Sequence, residues 1–191
     1  MSDTNIQDQI FDKIDCTQNP LAKGEYENCI FKNCNFSESN LSDFKFIDCE
    51  FIASNLSLAQ LNGTAFRNIS FKDCKMLGLQ FDHCNPFGLA FSFENCQLNH
   101  STFFQLHLRK TVFKECQLRE IDFSEADLSN ANFFDCDLSQ AIFQNTNLEK
   151  ADFLSSFNYV IDPENNRLKG ARFSAAGISG LLEKYQIIIE Q

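Results

Sequence analysis

Residues 126–155 read ADLSN ANFFD CDLSQ AIFQN TNLEK ADFLS, six groups of five residues that share one internal pattern. The third residue of each group is Leu or Phe, and the first is Ala, Cys or Thr. A helix repeats its apolar positions about every 3.6 residues and a strand every 2, so a period of five fits neither. The stretch therefore predicts a chain that turns a corner after every group.

The same period runs through most of the chain. Large apolar residues occupy the third, or central, position from Tyr26 to Phe81 and, after a shift of two residues near 85–88, from Phe93 to Phe153. The first position of each group is mostly small and carries no charge in either run. Two positions in five are therefore expected to face inward, and three to face solvent.

Four such groups close a square coil of 20 residues, and parallel strands in successive coils stack about 4.8 Å apart. The predicted fold is all-β, a right-handed quadrilateral parallel β-helix over residues 25–157. Residues 1–24 are expected to form an N-terminal cap, and residues 85–88 a two-residue interruption. We expect phenylalanines of the central position to fill the core: Phe31, Phe51, Phe71, Phe103, Phe113, Phe123, Phe133, Phe143 and Phe153.

Residues 158–191 depart from the pattern and are expected to hold one last repeat-like segment and a short helical cap. Ser174 is predicted to cap a helix that ends near Tyr185, and an apolar strand follows at 187–189. This cap could simply fold onto its own last coil. Its apolar content favours a second role in a homodimer, through Ile178, Leu181, Leu182, Tyr185 and Ile188.

Eight of the nine cysteines fall on the first position of a group, where a small apolar side chain is expected. A chain of 191 residues can bury a real core without disulfides or a metal, and no CxxC pair indicates a zinc site. We interpret these cysteines as reduced packing residues: Cys29, Cys34, Cys49, Cys74, Cys84, Cys96, Cys116 and Cys136. No cofactor or metal is predicted.

Composition and motifs narrow the classes of function. The formal net charge of −10 argues against direct binding of nucleic acid, which needs a surface rich in Lys and Arg. No segment is typical of a signal peptide or a membrane span, so a cytoplasmic protein is expected. The three histidines have no nucleophile or carboxylate at a recognisable spacing, and the chain is not expected to be an enzyme.

Acidic residues are concentrated between residues 111 and 165, where eleven carboxylates stand against Lys114, Arg119 and Lys150. This surface could serve solubility alone. It could also present a negatively charged cylinder to a protein with a basic DNA-binding groove. The predicted partner-binding residues are Glu115, Asp122, Glu125, Asp127, Asp135 and Asp137.

The groups quoted above resemble the pentapeptide-repeat family, whose commonest repeat is A(D/N)LXX. The interior FSFENCQLNHSTFFQLHLRKTVFKEC and the ending IDPENNRLKGARFSAAGISGLLEKYQIII are most similar to its gyrase-interacting branch. That branch includes the microcin B17 immunity protein, the mycobacterial fluoroquinolone-resistance protein and the plasmid quinolone-resistance proteins. The resemblance implies a dimeric rod whose acidic surface is similar to B-form DNA and binds DNA gyrase or topoisomerase IV.

Two functions stay open at this point. One is a DNA-mimicking protein that modulates a type II topoisomerase or confers resistance or immunity to its poisons. The other is a generic repeat scaffold for protein–protein interaction. A continuous acidic stripe on the rod would favour the first, and scattered charge the second. The plasmid quinolone-resistance proteins carry projecting loops, whereas this chain has only the two-residue shift near 85–88, which weighs against drug protection.

Overall fold

A computed structural model describes residues 4–188 as a parallel β-solenoid of about eight turns, which confirms the predicted four-sided coil. The strands are two to four residues long, because the chain turns a corner between successive faces. They are β1 (Thr4–Gln7), β2 (Ile10–Asp12), β3 (Gly24–Glu27), β4 (Ile30–Lys32), β5 (Lys45–Ile47), β6 (Glu50–Ile52), β7 (Ala65–Arg67), β8 (Ile69–Lys72), β9 (Phe91–Glu94), β10 (Val112–Lys114), β11 (Asn132–Phe134), β12 (Asp152–Phe153) and β13 (Arg172–Phe173).

The four faces of the solenoid are numbered along the chain starting from the face that contains β2, so that β1, which precedes it, lies on face 4. Face 1 holds a nine-stranded sheet, β2-β4-β6-β8-β9-β10-β11-β12-β13, and face 4 holds the four-stranded sheet β1-β3-β5-β7. On faces 2 and 3, isolated bridges join neighbouring coils, as between Asp137 and Phe157. Paired residues are 20 apart, as Phe113 and Phe133 are, so equivalent positions form columns along the rod.

Stacked rings fill the core on face 1. The rings of Phe113 and Phe133 lie 5.0 Å apart and nearly parallel, at 4°. All nine core phenylalanines predicted from the repeat are buried. Since each ring touches the rings above and below it, the coils stabilise one another along the axis.

The fifth residue of nearly every group has a positive φ, which turns the chain from one face to the next. Examples are Glu115 (φ 54°), Asp135 (φ 49°) and Lys150 (φ 58°). This left-handed conformation is unfavourable for most L-residues, so hydrogen bonds between coils must maintain it. The fifth side chains consequently lie along the four edges of the rod.

At several first positions the small side chain is also a hydrogen-bond donor. The thiols of Cys49 and Cys136 donate to the carbonyls of Tyr26 and Phe113, at 3.3 and 3.4 Å. The Thr146 hydroxyl donates in the same way to the Phe123 carbonyl, at 2.9 Å. Each bond satisfies a carbonyl in the coil above, which an apolar side chain of equal size would leave without that bond.

All nine cysteines are buried and free of disulfides. Burial raises the pKa of Cys16 and Cys49 to about 11. A thiol in such surroundings is a weak nucleophile, because only the thiolate reacts. The geometry therefore fits packing residues.

The repeat extends further toward the N-terminus than the sequence indicated. Residues 4–16, expected to belong to a cap, form another coil in register with the next one, and Phe11 stacks on Phe31 at 4.9 Å. Cys16 occupies a central position in this coil and is buried. The pattern is weak in this coil because Cys16 stands at a central position in place of Phe or Leu, and Gln9 and Asn19 stand at first positions in place of small residues.

The interruption at 85–88 is a bulge on face 4. Ser70 pairs with Ser92, and the residues of every pair that spans the interruption are 22 apart, whereas pairs elsewhere are 20 apart. A 3-10 helix at Phe81–His83 precedes the bulge. Regular pairing resumes at β9, so two extra residues are absorbed locally.

The predicted C-terminal helix is broken into short pieces. A 3-10 turn at Ala175–Gly177, the α-helix α1 (Ser179–Leu182) and a 3-10 turn at Glu183–Tyr185 follow one another. Ser174 does cap the segment, since its side chain accepts the Gly177 N–H.

Contact with the last coil explains why the helix is broken. Gly177 and Gly180 lie directly against Tyr159, and a Cβ on either glycine would collide with that residue. The Gly180 carbonyl also accepts the Ile161 N–H at 3.0 Å. Residues 187 and 188 are not in a strand, and residue 189 of the predicted strand lies outside the described residues.

Candidate functional site: the exposed surface of the rod

The six acidic residues predicted to bind a partner lie on all four faces. Glu115 and Asp135 occupy the edge between faces 1 and 2, and Asp137 lies on face 2. Asp122 and Glu125 belong to face 3 and Asp127 to face 4. The structure therefore does not join them into one continuous stripe.

The most accessible carboxylates are those at the edges. Glu115 and Asp135 are exposed neighbours in one edge column, and Glu120 and Glu125 occupy the next two edges of the same coil as Glu115. All four have a positive φ, so the rod fixes the direction of each Cα–Cβ bond. Glu120 was not among the predicted residues, although its spacing of five from Glu115 and Glu125 marks it as a fifth position.

The aspartates of the second position take part in the fold. The Oδ1 atoms of Asp122 and Asp127 accept the backbone N–H groups of Ser124 and Ser129, at 2.8 and 3.0 Å. Partial burial alone would raise the pKa of Asp127, but the hydrogen bonds from Ser129 outweigh it and lower the pKa. These carboxylates stabilise turns and are less available to a partner.

Asp137 is buried and accepts hydrogen bonds from three side chains, so it is less accessible to a partner than Asp122 or Asp127. Its residue is only 6% exposed, and it accepts hydrogen bonds from Ser139, Asn158 and Arg119. Burial alone would raise its pKa, but these hydrogen bonds lower the pKa to about 2. The second position faces outward, as the repeat predicted, but the surrounding side chains cover this carboxylate.

The predicted dimerisation residues do not share one face. Leu181 packs against the core and Leu182 is half-buried, whereas Ile178 and Tyr185 are exposed. Ile188 is 90% exposed. Lys184 holds the segment to the rod through Asp162 and Glu164, at 2.6 and 2.7 Å.

Phe87, at the tip of the interruption, is the most exposed aromatic residue of the described chain, at 74%. Its N–H donates to Asn85 Oδ1 at 3.0 Å, and the following Gly88 has φ 72°. The Arg67 guanidinium lies 5.3 Å from the ring centroid. The bulge thus places an exposed Phe87 side chain on face 4, in contact with the Arg67 guanidinium. The sequence pattern did not predict this exposed aromatic residue.

Chemical groups typical of a metal or catalytic centre are few on this surface. His100 Nδ1 lies 3.3 Å from Glu120 on the next coil, a pairing hidden in the sequence by its spacing of 20. Within residues 4–188 no cluster of His, Cys, Asp and Glu is arranged to hold a metal ion. The helices in this part of the chain are too short to cross a membrane.

Solved structures with the same fold include two trypsin-treated variants of QnrB1, a plasmid-mediated fluoroquinolone resistance protein. One aligns over 98% of this chain and 100% of its own, at 19% identity and a TM-score of 0.63. The other covers 98% and 92%, at 19% identity and a TM-score of 0.64. At this level of identity the likeness establishes the fold. No curated protein sequence matches the chain.

The family assignment comes from the repeat itself. The family model described as a pentapeptide repeat region matches residues 21–91 and 80–153, which together span most of the chain. These are the coils whose central columns and edge residues are described above. The chain therefore belongs to the pentapeptide-repeat family.

Proposed function

We propose that this protein is a non-catalytic, protein-binding rod whose acidic edges engage the DNA-binding groove of a type II topoisomerase, DNA gyrase or topoisomerase IV. One observation carries the proposal: Glu115, Glu120, Glu125 and Asp135 are exposed on successive edges in a fixed backbone conformation. The fold shared with the fluoroquinolone resistance protein QnrB1 over 98% of the chain supports this partner class.

The edge carboxylates border two faces of the rod. Glu115 and Asp135 run along one side of face 2, Glu120 lies between faces 2 and 3, and Glu125 closes face 3. Neighbouring coils are about 4.8 Å apart, so carboxylates on this side could replace several phosphates of a duplex at once. Several contacts are needed, because one exposed ion pair contributes only about 0–1 kcal/mol and is screened by salt.

A general protein-binding scaffold is the second candidate. The observation that favours it is the use of Asp122, Asp127 and Asp137 to hold turns and neighbouring side chains. Fewer carboxylates are then free to imitate phosphates. In this case the remaining charge serves solubility, and the partner need not hold DNA.

We also propose a homodimer formed through the C-terminal segment. Ile178, Tyr185 and Ile188 expose apolar surface at the end of the rod. Ile188→Asp is expected to convert a dimer to a monomer without unfolding the coils, as measured by sedimentation at micromolar concentration. A wild-type protein that sediments as a monomer would contradict the dimer.

Binding to purified gyrase and topoisomerase IV tests the main proposal. The variant Glu115→Lys/Asp135→Lys should bind roughly tenfold more weakly at low salt, mainly through slower association. Its matched control is Glu38→Lys/Asp43→Lys, which changes the same charge at two edge residues that also have a positive φ.

The proposal predicts that binding weakens with added salt and is competed by duplex DNA. A supercoiling assay with and without a quinolone would then show whether the protein inhibits or protects the enzyme. Absence of binding at low salt, or equal binding by both variants, would favour the general scaffold.

A further inference from the structure

Charges in the C-terminal coils are divided between the faces of the rod. Between residues 106 and 170, faces 1 to 3 carry nine carboxylates and only two cations, Lys114 and Arg119. Face 4 of the same coils has two carboxylates, Asp127 and Glu149, against five cations. These five residues, named here the basic face, are Arg109, Lys110, Lys150, Arg167 and Lys169.

Most of this positive charge is not neutralised within the rod. Arg167 pairs with Glu149 at 2.7 Å, and Arg109 is 3.9 Å from Asp127. Lys110, Lys150 and Lys169 are exposed and form no ion pair with any of residues 4–188. On face 1, by contrast, Lys114 and Arg172 pair with Glu94 and Asp152 at 2.8 and 2.7 Å.

The backbone fixes the spacing of the lysines. Lys110 and Lys150 are fifth residues with φ 63° and 58°, in one edge column and two coils apart, which is about 10 Å. The Lys150 N–H donates to the Lys169 carbonyl at 3.0 Å, which joins Lys169 to this column in the next coil. The Cα atoms of these lysines are thus fixed along one side of the rod before any partner binds.

We propose that the basic face binds a short, carboxylate-rich segment of a partner protein. Charge complementarity identifies the occupant: such a segment could cover face 4 alone and neutralise the three unpaired lysines. A nucleic acid carries charge over a longer path and would be repelled by the nine carboxylates of the other faces and by the net charge of −10. This inference goes beyond the topoisomerase proposal and does not depend on it.

A fluorescein-labelled decaglutamate peptide is a direct probe, and fluorescence anisotropy at low salt would measure its binding. Lys110→Glu/Lys150→Glu should weaken binding roughly tenfold, because two attractive contacts become repulsive. The control Lys13→Glu/Lys32→Glu makes the same change in net charge at two exposed lysines on the N-terminal coils. It should change the affinity less than about twofold, since the basic face remains intact.

A variant with neutral side chains controls for the possibility that Lys110→Glu/Lys150→Glu loses binding because it misfolds. Lys110→Gln/Lys150→Gln should show an intermediate loss and an unchanged unfolding transition. No binding of the peptide by the wild-type protein would overturn the inference. Equal losses in the reversed variant and the control would do the same, as would tighter binding of a ten-base-pair DNA duplex than of the peptide.

Discussion

The regular coils and the C-terminal segment of residues 174–188 are held by different means. In the coils, each buried side chain recurs in the coils above and below, as Phe103, Phe123 and Phe143 do on face 3. The C-terminal segment packs once, through two glycines against Tyr159 and through the ion pairs of Lys184. Repetition therefore distributes stability along the rod, whereas the segment depends on a few specific contacts.

The largest expected effect on stability comes from a cavity in the stacked core of the coils. Phe123 lies 5.5 Å from Phe103 and 5.4 Å from Phe143, so Phe123→Ala should lower the free energy of unfolding by about 3–5 kcal/mol. Chemical denaturation would measure the loss. The exposed control Gln140→Ala should be nearly silent, and equal small losses for both would contradict the stacked core.

A hydrogen bond between two neighbouring coils comes next in size. Asp137 in the coils binds Asn158, and its pKa is lowered from 3.8 to about 2. The ionised group therefore stabilises the fold by about 2 kcal/mol above pH 4, and this contribution is lost as the pH falls toward 2.

Asp137→Asn tests that contribution. The variant should be less stable than wild type at pH 7, and the gap should close between about pH 4 and pH 2. Its exposed neighbour Asp135→Asn serves as the control. A gap that is constant with pH would show that the charge of Asp137 is not responsible.

Loosening the C-terminal segment should have a smaller effect on the free energy of unfolding of the coils. Gly180→Ala would place a Cβ against the Tyr159 carbonyl and disturb the bond from Ile161. Amide exchange of residues 175–188 should accelerate, while the unfolding transition of the coils shifts by less than about 1 kcal/mol. Ser179→Ala, exposed on the same helix, is the control. A large shift of the main transition would mean that the segment is part of the cooperative core.

The smallest expected effect concerns the thiols, all of which lie in the coils. Native protein should react slowly with a thiol reagent. After denaturation without a reductant, close to nine free thiols per chain should react. Loosening the segment by Gly180→Ala should leave this slow reaction unchanged. Fewer than nine thiols after denaturation would reveal disulfides, and rapid reaction in the native protein would show that the coils open easily.

The same comparison shows what sequence could predict. The period of five located the core from Tyr26 to Phe153 because each central residue faces the axis in every coil. It did not identify the first coil, where Cys16 at a central position and Gln9 and Asn19 at first positions weaken the pattern. It also did not foresee the broken C-terminal helix, because the contact of Gly177 and Gly180 with Tyr159 is formed only in the folded chain.

The candidate surfaces were harder to predict than the core. Counting acids along the chain identified the region of Glu115 and Asp135 but combined all faces into one total. Separating the basic face from the acidic edges requires the register of 20, which brings Lys110 and Lys150 into one column. Likewise, the burial of Asp137 depends on Arg119 and Asn158, which approach it from neighbouring coils.

The constant register of 20 residues makes the length of this rod adjustable in discrete steps. Regular pairing is recovered at β9 even after the two extra residues of the bulge, because each coil contacts only its neighbours. Removing one whole coil, such as residues 106–125, should therefore leave the columns in register and shorten the rod by about 4.8 Å. The length of the rod can therefore change in steps of one coil, so duplication or loss of single coils could match the distance between two binding sites on a partner.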